Sequence, residues 1–218
     1  QTLSRGVNVV GLESQSSDMI KLHAQMFKKH GMSSIRNFDA LNDVNNLKVA
    51  IEETVKSGAI ASGTISYTTS PVHTREKYVE MVRELAQMGV GSICIKDMAG
   101  ILTPAAAYDL VAAIKDAVDL PVVMHTHCTT GLAYMTYLKG IEAGADVIDT
   151  AISPFSGGTS QPATETMFYA LGQYGIDTGL NEEIINKVND YFKPIKQKYV
   201  DSGRISAKSM ATDAQALV

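Results

Sequence analysis

His125-Thr126-His127 and Lys96 are the residues of this chain best suited to do chemistry. Side chains alternate faces along a strand, so two histidines separated by one residue project to the same side. The run Pro121-Val122-Val123-Met124 leads into them and Cys128-Thr129-Thr130-Gly131 follows. That order reads as a short buried strand and then the opening of a helix. Two imidazoles converging at a strand's C-terminal end make half of a divalent metal site. The plainer reading keeps one histidine hydrogen-bonded in the core and turns the other to solvent. Lys96 ends a second β-branched run, Ser92-Ile93-Cys94-Ile95, and Asp97-Met98-Ala99-Gly100 follows. An ammonium at the inner end of a buried strand is costly unless it is paired or chemically changed. Pairing would use a carboxylate such as Asp97 or Asp149. Metal ligation would use the neutral amine, or a carbamate made with carbon dioxide.

Elements must exist to carry these groups. The apolar, β-branched runs lie at Val7–Val10, Ser34–Phe38, Ala59–Tyr67, Ser92–Ile95, Val122–Met124 and Val147–Ile152. Each precedes a segment of helical period: Ser17–His30, Asp43–Ser57, Thr74–Met88, Pro104–Val118, Thr130–Ala143 and Gln161–Leu171. Thr103-Pro104 and Ser17-Asp18 supply helix-start signals, and Gly31, Gly58, Gly89 and Gly144 supply helix stops. Strict strand-helix alternation means a parallel sheet covered by helices. Polar groups at strand C-termini favour a (β/α)8 TIM barrel over a doubly wound sheet, and no G-x-G-x-x-G follows an early strand. Six units are visible, so the expected fold is a barrel lacking its first two βα units in this chain.

The expected organisation is an incomplete barrel over 1–180, a helix over 181–199, and a polar connection over 200–218 toward a further domain. With 218 residues, 45% of them hydrophobic, and a net charge of −4, the chain suits one α/β domain. The absence of a basic run argues against a nucleic-acid partner. No stretch approaches the roughly 20 apolar residues of a membrane span. Two cysteines, Cys94 and Cys128, form no disulfide framework and suit a reducing cytosol.

Further polar groups sit at the other strand ends. Arg5 precedes the first apolar run, and a buried arginine there could clamp a carboxylate in bidentate fashion. Arg36 and Asp39 flank Asn37-Phe38, and Asp149-Thr150 lies in the last run. The stretch Gly157-Gly158-Thr159-Ser160 reads either as a helix N-terminus able to hold an anion or as a strand-helix loop capped by Ser160. His23 and His30 belong to a helix face, and His73 to a helix entry.

Five ordered motifs together resemble the carboxyltransferase domain of biotin-dependent enzymes. They are Arg5-Gly6-Val7-Asn8-Val9-Val10-Gly11, Phe38-Asp39-Ala40-Leu41-Asn42-Asp43, Lys96-Asp97-Met98-Ala99-Gly100, His125-Thr126-His127 and Gly158-Thr159-Ser160-Gln161-Pro162. The nearest likeness is to the α subunit of oxaloacetate decarboxylase, favoured by Ser66-Tyr67-Thr68-Thr69-Ser70-Pro71-Val72-His73-Thr74. The B subunit of pyruvate carboxylase, running the reverse half-reaction, and a metal-dependent lyase of the hydroxymethylglutaryl-CoA lyase type stay open as alternatives.

The resemblance implies a barrel of the hydroxymethylglutaryl-CoA lyase-like type with a divalent metal (zinc, cobalt or manganese) at its mouth. Lys96, as a carboxylated lysine, His125 and His127 would be metal ligands, and a further Asp ligand belongs to a family motif absent here. Arg5 would bind the carboxylate of oxaloacetate or pyruvate, and Thr159 would relay a proton. Leu12 stands where the family usually has Tyr. Biotin would arrive on a separate carrier domain. The resemblance also implies a cytoplasmic homodimer, reaching a membrane only through sodium-transporting decarboxylase subunits.

Overall fold

The computed structural model describes residues 1–214 and Leu217. Six strands make one parallel sheet: β1 (Thr2–Ser4), β2 (Ser34–Asn37), β3 (Ile60–Ser66), β4 (Ser92–Asp97), β5 (Val122–Thr126) and β6 (Val147–Ile148). Each is hydrogen-bonded to the next in chain order. A doubly wound sheet reverses its strand order at a switch point. An unbroken sequential order is instead the wall of a barrel. Among the described residues β1 and β6 are not paired to each other, so the wall is an open sector.

Helices α1 (Ser17–Lys29), α2 (Asn45–Lys56), α3 (Arg75–Gln87), α4 (Pro104–Ala117), α5 (Ala133–Glu142) and α6 (Thr164–Gln173) alternate with the strands, and α7 (Glu182–Asp201) follows. Local signals start and stop them. Ser16, Thr74 and Thr103 cap α1, α3 and α4 by accepting the amides of Met19, Lys77 and Ala106. The α1 cap is thus Ser16 rather than the Ser17-Asp18 pair expected. Gly31, Gly58, Gly89 and Gly144 follow their helices with φ of 90, 74, 82 and 104°, the left-handed turn that glycine adopts without cost to a Cβ.

The two faces of the sheet differ in chemistry. Ile35, Ala61, Ile65, Ile93, Ile95, Val122 and Met124 are buried on the outer face. They pack with Leu47, Ile51, Leu85, Val111 and Ile114 of the covering helices in one apolar core. The alternating residues Arg36, Ser62, Thr64, Cys94, Lys96 and His125 share the inner face. Ser62 and Thr64 are almost fully buried there, and neither hydroxyl has a hydrogen-bond partner among the described residues. Barrel interiors are ordinarily filled by branched apolar side chains; this one is lined with polar groups below its mouth.

One expected strand is corrected. Val7–Val10 is not a strand, because Gly6–Asn8 winds as a short 3-10 turn and Val9 takes a φ of 59°. Burial drives that geometry: Val9 packs with Ile20 and Ala50, with Val7 against them, in a small second core under α1 and α2. The first strand is instead the short, mostly polar Thr2–Ser4, paired with Ile35–Asn37. No described helix is long and apolar enough to cross a membrane.

Tyr137 of α5 fastens the wall where the site begins. Its hydroxyl accepts the Thr126 amide at 2.9 Å and donates to the Asp149 carbonyl at 2.7 Å. Tyr137→Phe strands two backbone groups and is expected to cost about 1–3 kcal/mol. Denaturant unfolding should show this as a lower midpoint at unchanged slope.

Candidate functional site

Strand register brings the sequence-marked residues together. Lys96 of β4 lies directly beside His125 of β5, and His127 follows two residues later, beyond the strand end. Arg36 reaches in from β2, Arg5 follows β1, and Asp149 follows β6. All therefore gather at the C-terminal end of one sheet, the end that carries chemistry in barrels.

The two imidazoles are fixed from behind. His125 Nδ1 lies 2.8 Å from Asp149 Oδ2, and His127 Nδ1 lies 2.5 Å from the Thr159 carbonyl oxygen. Both partners only accept, so each Nδ1 carries a proton, and in the neutral form of each ring Nε2 then presents a lone pair. Those two Nε2 atoms stand 3.2 Å apart. Facing lone pairs repel unless a proton or a cation lies between them. Burial pushes the His127 pKa down, against the Thr159 carbonyl, and the Lys96 ammonium pushes it the same way. That shift favours the neutral ring, the form that binds metals.

Lys96 is buried, and its Nζ rests 4.4 Å from the centre of the Phe38 ring. It forms no ion pair with any described carboxylate. Asp97 is occupied by its own loop, accepting the amides of Ile101 and Leu102. Asp149 is claimed by Arg36 and His125. Burial lowers the Lys96 pKa, a nearby Cys94 opposes, and the positive charges of Arg36 and Arg5 lower it further. An amine so placed gives up its proton more easily than a solvated lysine, and the neutral amine is the form that adds carbon dioxide. Cys94 itself is fully buried and pushed up to about 12, an inert thiol.

Arg5 is exposed, with its guanidinium carbon 5.9 Å from the same Phe38 ring and Nη1 3.4 Å from the Gly11 carbonyl oxygen. The Phe38 ring thus gathers Lys96 and Arg5 at one mouth. Leu12 lies 86% exposed in the loop beyond Gly11.

The β4–α4 loop is pinned to the β5 end. The His127 amide donates to the Asp97 carbonyl at 3.0 Å, and the Thr130 hydroxyl donates to the Gly100 carbonyl. Gly100 takes a φ of 68°, and a Cβ there would meet the His127 carbonyl oxygen at 2.5 Å. Only glycine lets this loop come so close to His127.

The Thr159 loop departs from one expectation. Gly157-Gly158-Thr159-Ser160 does not open a helix: α6 starts at Thr164 with Ala163 as its cap. The amides of Gly157, Thr159 and Ser160 are spent on the carbonyls of Gln161, Ser209 and Gly157, and Ser160 does not cap α6. Thr159 Oγ1 also donates to the Ser209 carbonyl at 3.0 Å. Within the expected connection, 200–218, Ser209 thus comes back to this loop. The Asp213 amide donates to the Thr129 carbonyl at 2.7 Å, and 215, 216 and 218 lie outside the described residues.

A further pair was not singled out as a site from sequence. Arg36 Nη1 hydrogen-bonds Asp149 Oδ2, and Nη2 reaches Oδ1 at 3.4 Å. Burial would raise the Asp149 pKa, but hydrogen bonds from His125 and Arg36 hold it down to about 2. The available signal was charge at two strand ends, with no hint that the two would meet.

A bound divalent metal suits this donor set. No three His, Cys, Asp or Glu side chains converge among the described residues, so any site here rests on two histidines and a lysine. Ligands about 2.1 Å from one ion, at right to tetrahedral angles, stand roughly 3.0–3.4 Å from each other. The 3.2 Å separation of the two Nε2 atoms falls within that span. Gln161 Nε2, 3.3 Å from His125 Nε2, donates to the same lone pair when no cation claims it.

The family model described as HMGL-like matches residues 23–191, and the chain belongs to that family. Within it, the relatives are the B subunit of pyruvate carboxylase and the carboxyltransferase domains of biotin-dependent carboxylases. The pyruvate carboxylase B subunit of Methanocaldococcus jannaschii is 48% identical over 218 residues, covering 100% of this chain and 38% of the relative. The methylmalonyl-CoA carboxyltransferase 5S subunit of Propionibacterium freudenreichii subsp. shermanii is 41% identical over 201 residues, covering 91% of this chain and 40% of that one. The carboxyl transferase domain of Rhizobium etli pyruvate carboxylase, solved with pyruvate, superposes with a TM-score of 0.88 at 32% identity, over 97% of this chain and 35% of that one. The chain therefore spans well under half the length of these relatives.

Proposed function

We propose that this chain is the catalytic barrel sector of a biotin-dependent carboxyltransferase acting between pyruvate and oxaloacetate. What carries the reading is the pair of imidazole Nε2 atoms 3.2 Å apart, beside a buried lysine with no counter-ion among the described residues. His125, His127 and Lys96, the last as its carbamate, would hold a divalent metal. Zinc, cobalt and manganese all accept such mixed nitrogen and oxygen donors. When bound, the metal would act as a Lewis acid on the keto oxygen of the substrate. Biotin on a carrier domain would supply the ring nitrogen that gives or takes the carboxyl group.

The chain's own residues do the rest. Arg5 pairs with the substrate carboxylate and orients the three-carbon unit toward Lys96 and the imidazoles. The Thr159 hydroxyl passes one proton between the substrate's third carbon and the biotin nitrogen while the carboxyl group travels the opposite way. Asp149 and the Thr159 carbonyl keep both imidazoles aimed. The names of the relatives favour carboxylation of pyruvate. The Ser66–Thr74 segment resembles the oxaloacetate decarboxylase α subunit; in that direction the same groups would act in reverse and membrane subunits would be partners. A biotin carrier domain and a second copy in a cytoplasmic dimer belong to this proposal.

Metal analysis of the full-length protein tests it. Wild type is expected to hold about one divalent ion per chain, and His127→Ala should lose most of it. Equal content in the two proteins would sink the reading.

A further inference from the structure

We infer that Arg36 and Asp149 are a positioning pair that fixes His125 in the tautomer able to bind a cation through Nε2; the inference rests on the metal site proposed above. The two residues come from opposite sides of the open wall, β2 and the end of β6. Their side chains are 8% and 25% exposed, and they meet above the polar inner face.

The geometry leaves His125 little choice. A neutral imidazole has one N–H to place. On Nδ1 it is donated to Asp149 Oδ2 at 2.8 Å, and Nε2 is left bare toward His127. On Nε2 it would turn the Nδ1 lone pair onto a carboxylate oxygen at the same distance. The only described donor then near Nδ1 is Arg36 Nη1, at 3.5 Å, the outer limit of a hydrogen bond. Asp149 therefore selects the metal-binding tautomer. Arg36 makes the selection rigid, because both its terminal nitrogens engage the carboxylate and leave it one orientation. Gln161 Nε2, a pure donor 3.3 Å from His125 Nε2, fits a bare nitrogen there.

Nitrogen-15 spectra of histidine-labelled, metal-free full-length protein decide the matter, with His125 identified by the signals missing from His125→Ala. The expected spectrum has Nδ1 protonated and Nε2 bare. In Asp149→Asn the amide group can donate to Nδ1, so the opposite tautomer should appear. Zinc affinity, measured by chelator competition, should fall roughly 10–100-fold, the usual effect of losing a partner behind a metal-binding histidine. Arg36→Lys keeps the charge but not the fork, and should weaken zinc binding in the wild-type background. In the Asp149→Asn background it should weaken binding little further, because the two act as one unit.

A wild-type spectrum with the proton on Nε2 overturns the inference. So does a folded Asp149→Asn protein with unchanged tautomer and zinc affinity. If Asp149→Asn fails to fold, the wild-type spectrum alone decides. If wild type binds no zinc, the proposed metal site fails, and the spectrum still judges the tautomer separately.

Discussion

Lys96→Ala in the full-length protein is expected to empty the site of metal and abolish carboxyl transfer while leaving the fold intact. Lys96 makes no ion pair among the described residues, so its removal leaves no carboxylate stranded. The inner face around it already contains Ser62, Thr64 and Cys94, small groups that do not lean on the lysine. The loss should therefore be chemical. Removing the metal forfeits the Lewis-acid contribution, several kcal/mol of barrier, which corresponds to roughly a thousandfold or more in rate. Lys96→Arg sharpens the test. A guanidinium keeps the positive charge but stays protonated and cannot add carbon dioxide. If the ammonium were the working form, Lys96→Arg would retain much of the activity; the carbamate reading expects it to be as inactive as alanine. Metal content and transfer rate, measured on both variants, separate the two.

Thr159→Ala should instead keep its metal and lose the transfer. Thr159 is exposed and contributes only its backbone carbonyl to His127, a contact that alanine retains. The hydroxyl donates to the Ser209 carbonyl at 3.0 Å, which leaves its lone pairs free to accept from a substrate or from biotin. A hydroxyl is a poor base alone, so it works only as a relay between two aligned partners. Losing such a relay costs roughly 10²- to 10⁴-fold. Thr159→Ser retains the hydroxyl and should recover much of the rate. An alanine variant that transfers at the wild-type rate would reduce Thr159 to a carbonyl that aims His127.

What could be read in the sequence was what strand periodicity and helix signals determine. His125 and His127 fall on one side because side chains alternate. Lys96 stood out because a strand-end lysine needs an explanation, and the helices were announced by Thr103-Pro104 and by the terminal glycines. The failures have a common cause, since each depended on contacts distant in the chain. Val7–Val10 looked like a strand because it is apolar, yet its burial is against Ile20 and Ala50. The true first strand, Thr2–Ser4, is too short and polar to announce itself. Arg36 and Asp149 are 113 residues apart, and only the curvature of the wall makes them neighbours. The Ser209 carbonyl that receives Thr159 comes from a segment whose composition reads as a plain connection.

Isotope exchange between carbon-labelled pyruvate and oxaloacetate, catalysed by the full-length protein with and without biotin, tests the central claim most directly. The exchange is expected to require both biotin and a divalent metal, and to vanish in Lys96→Ala. Exchange at the same rate without biotin, or undiminished in Lys96→Ala, would contradict it.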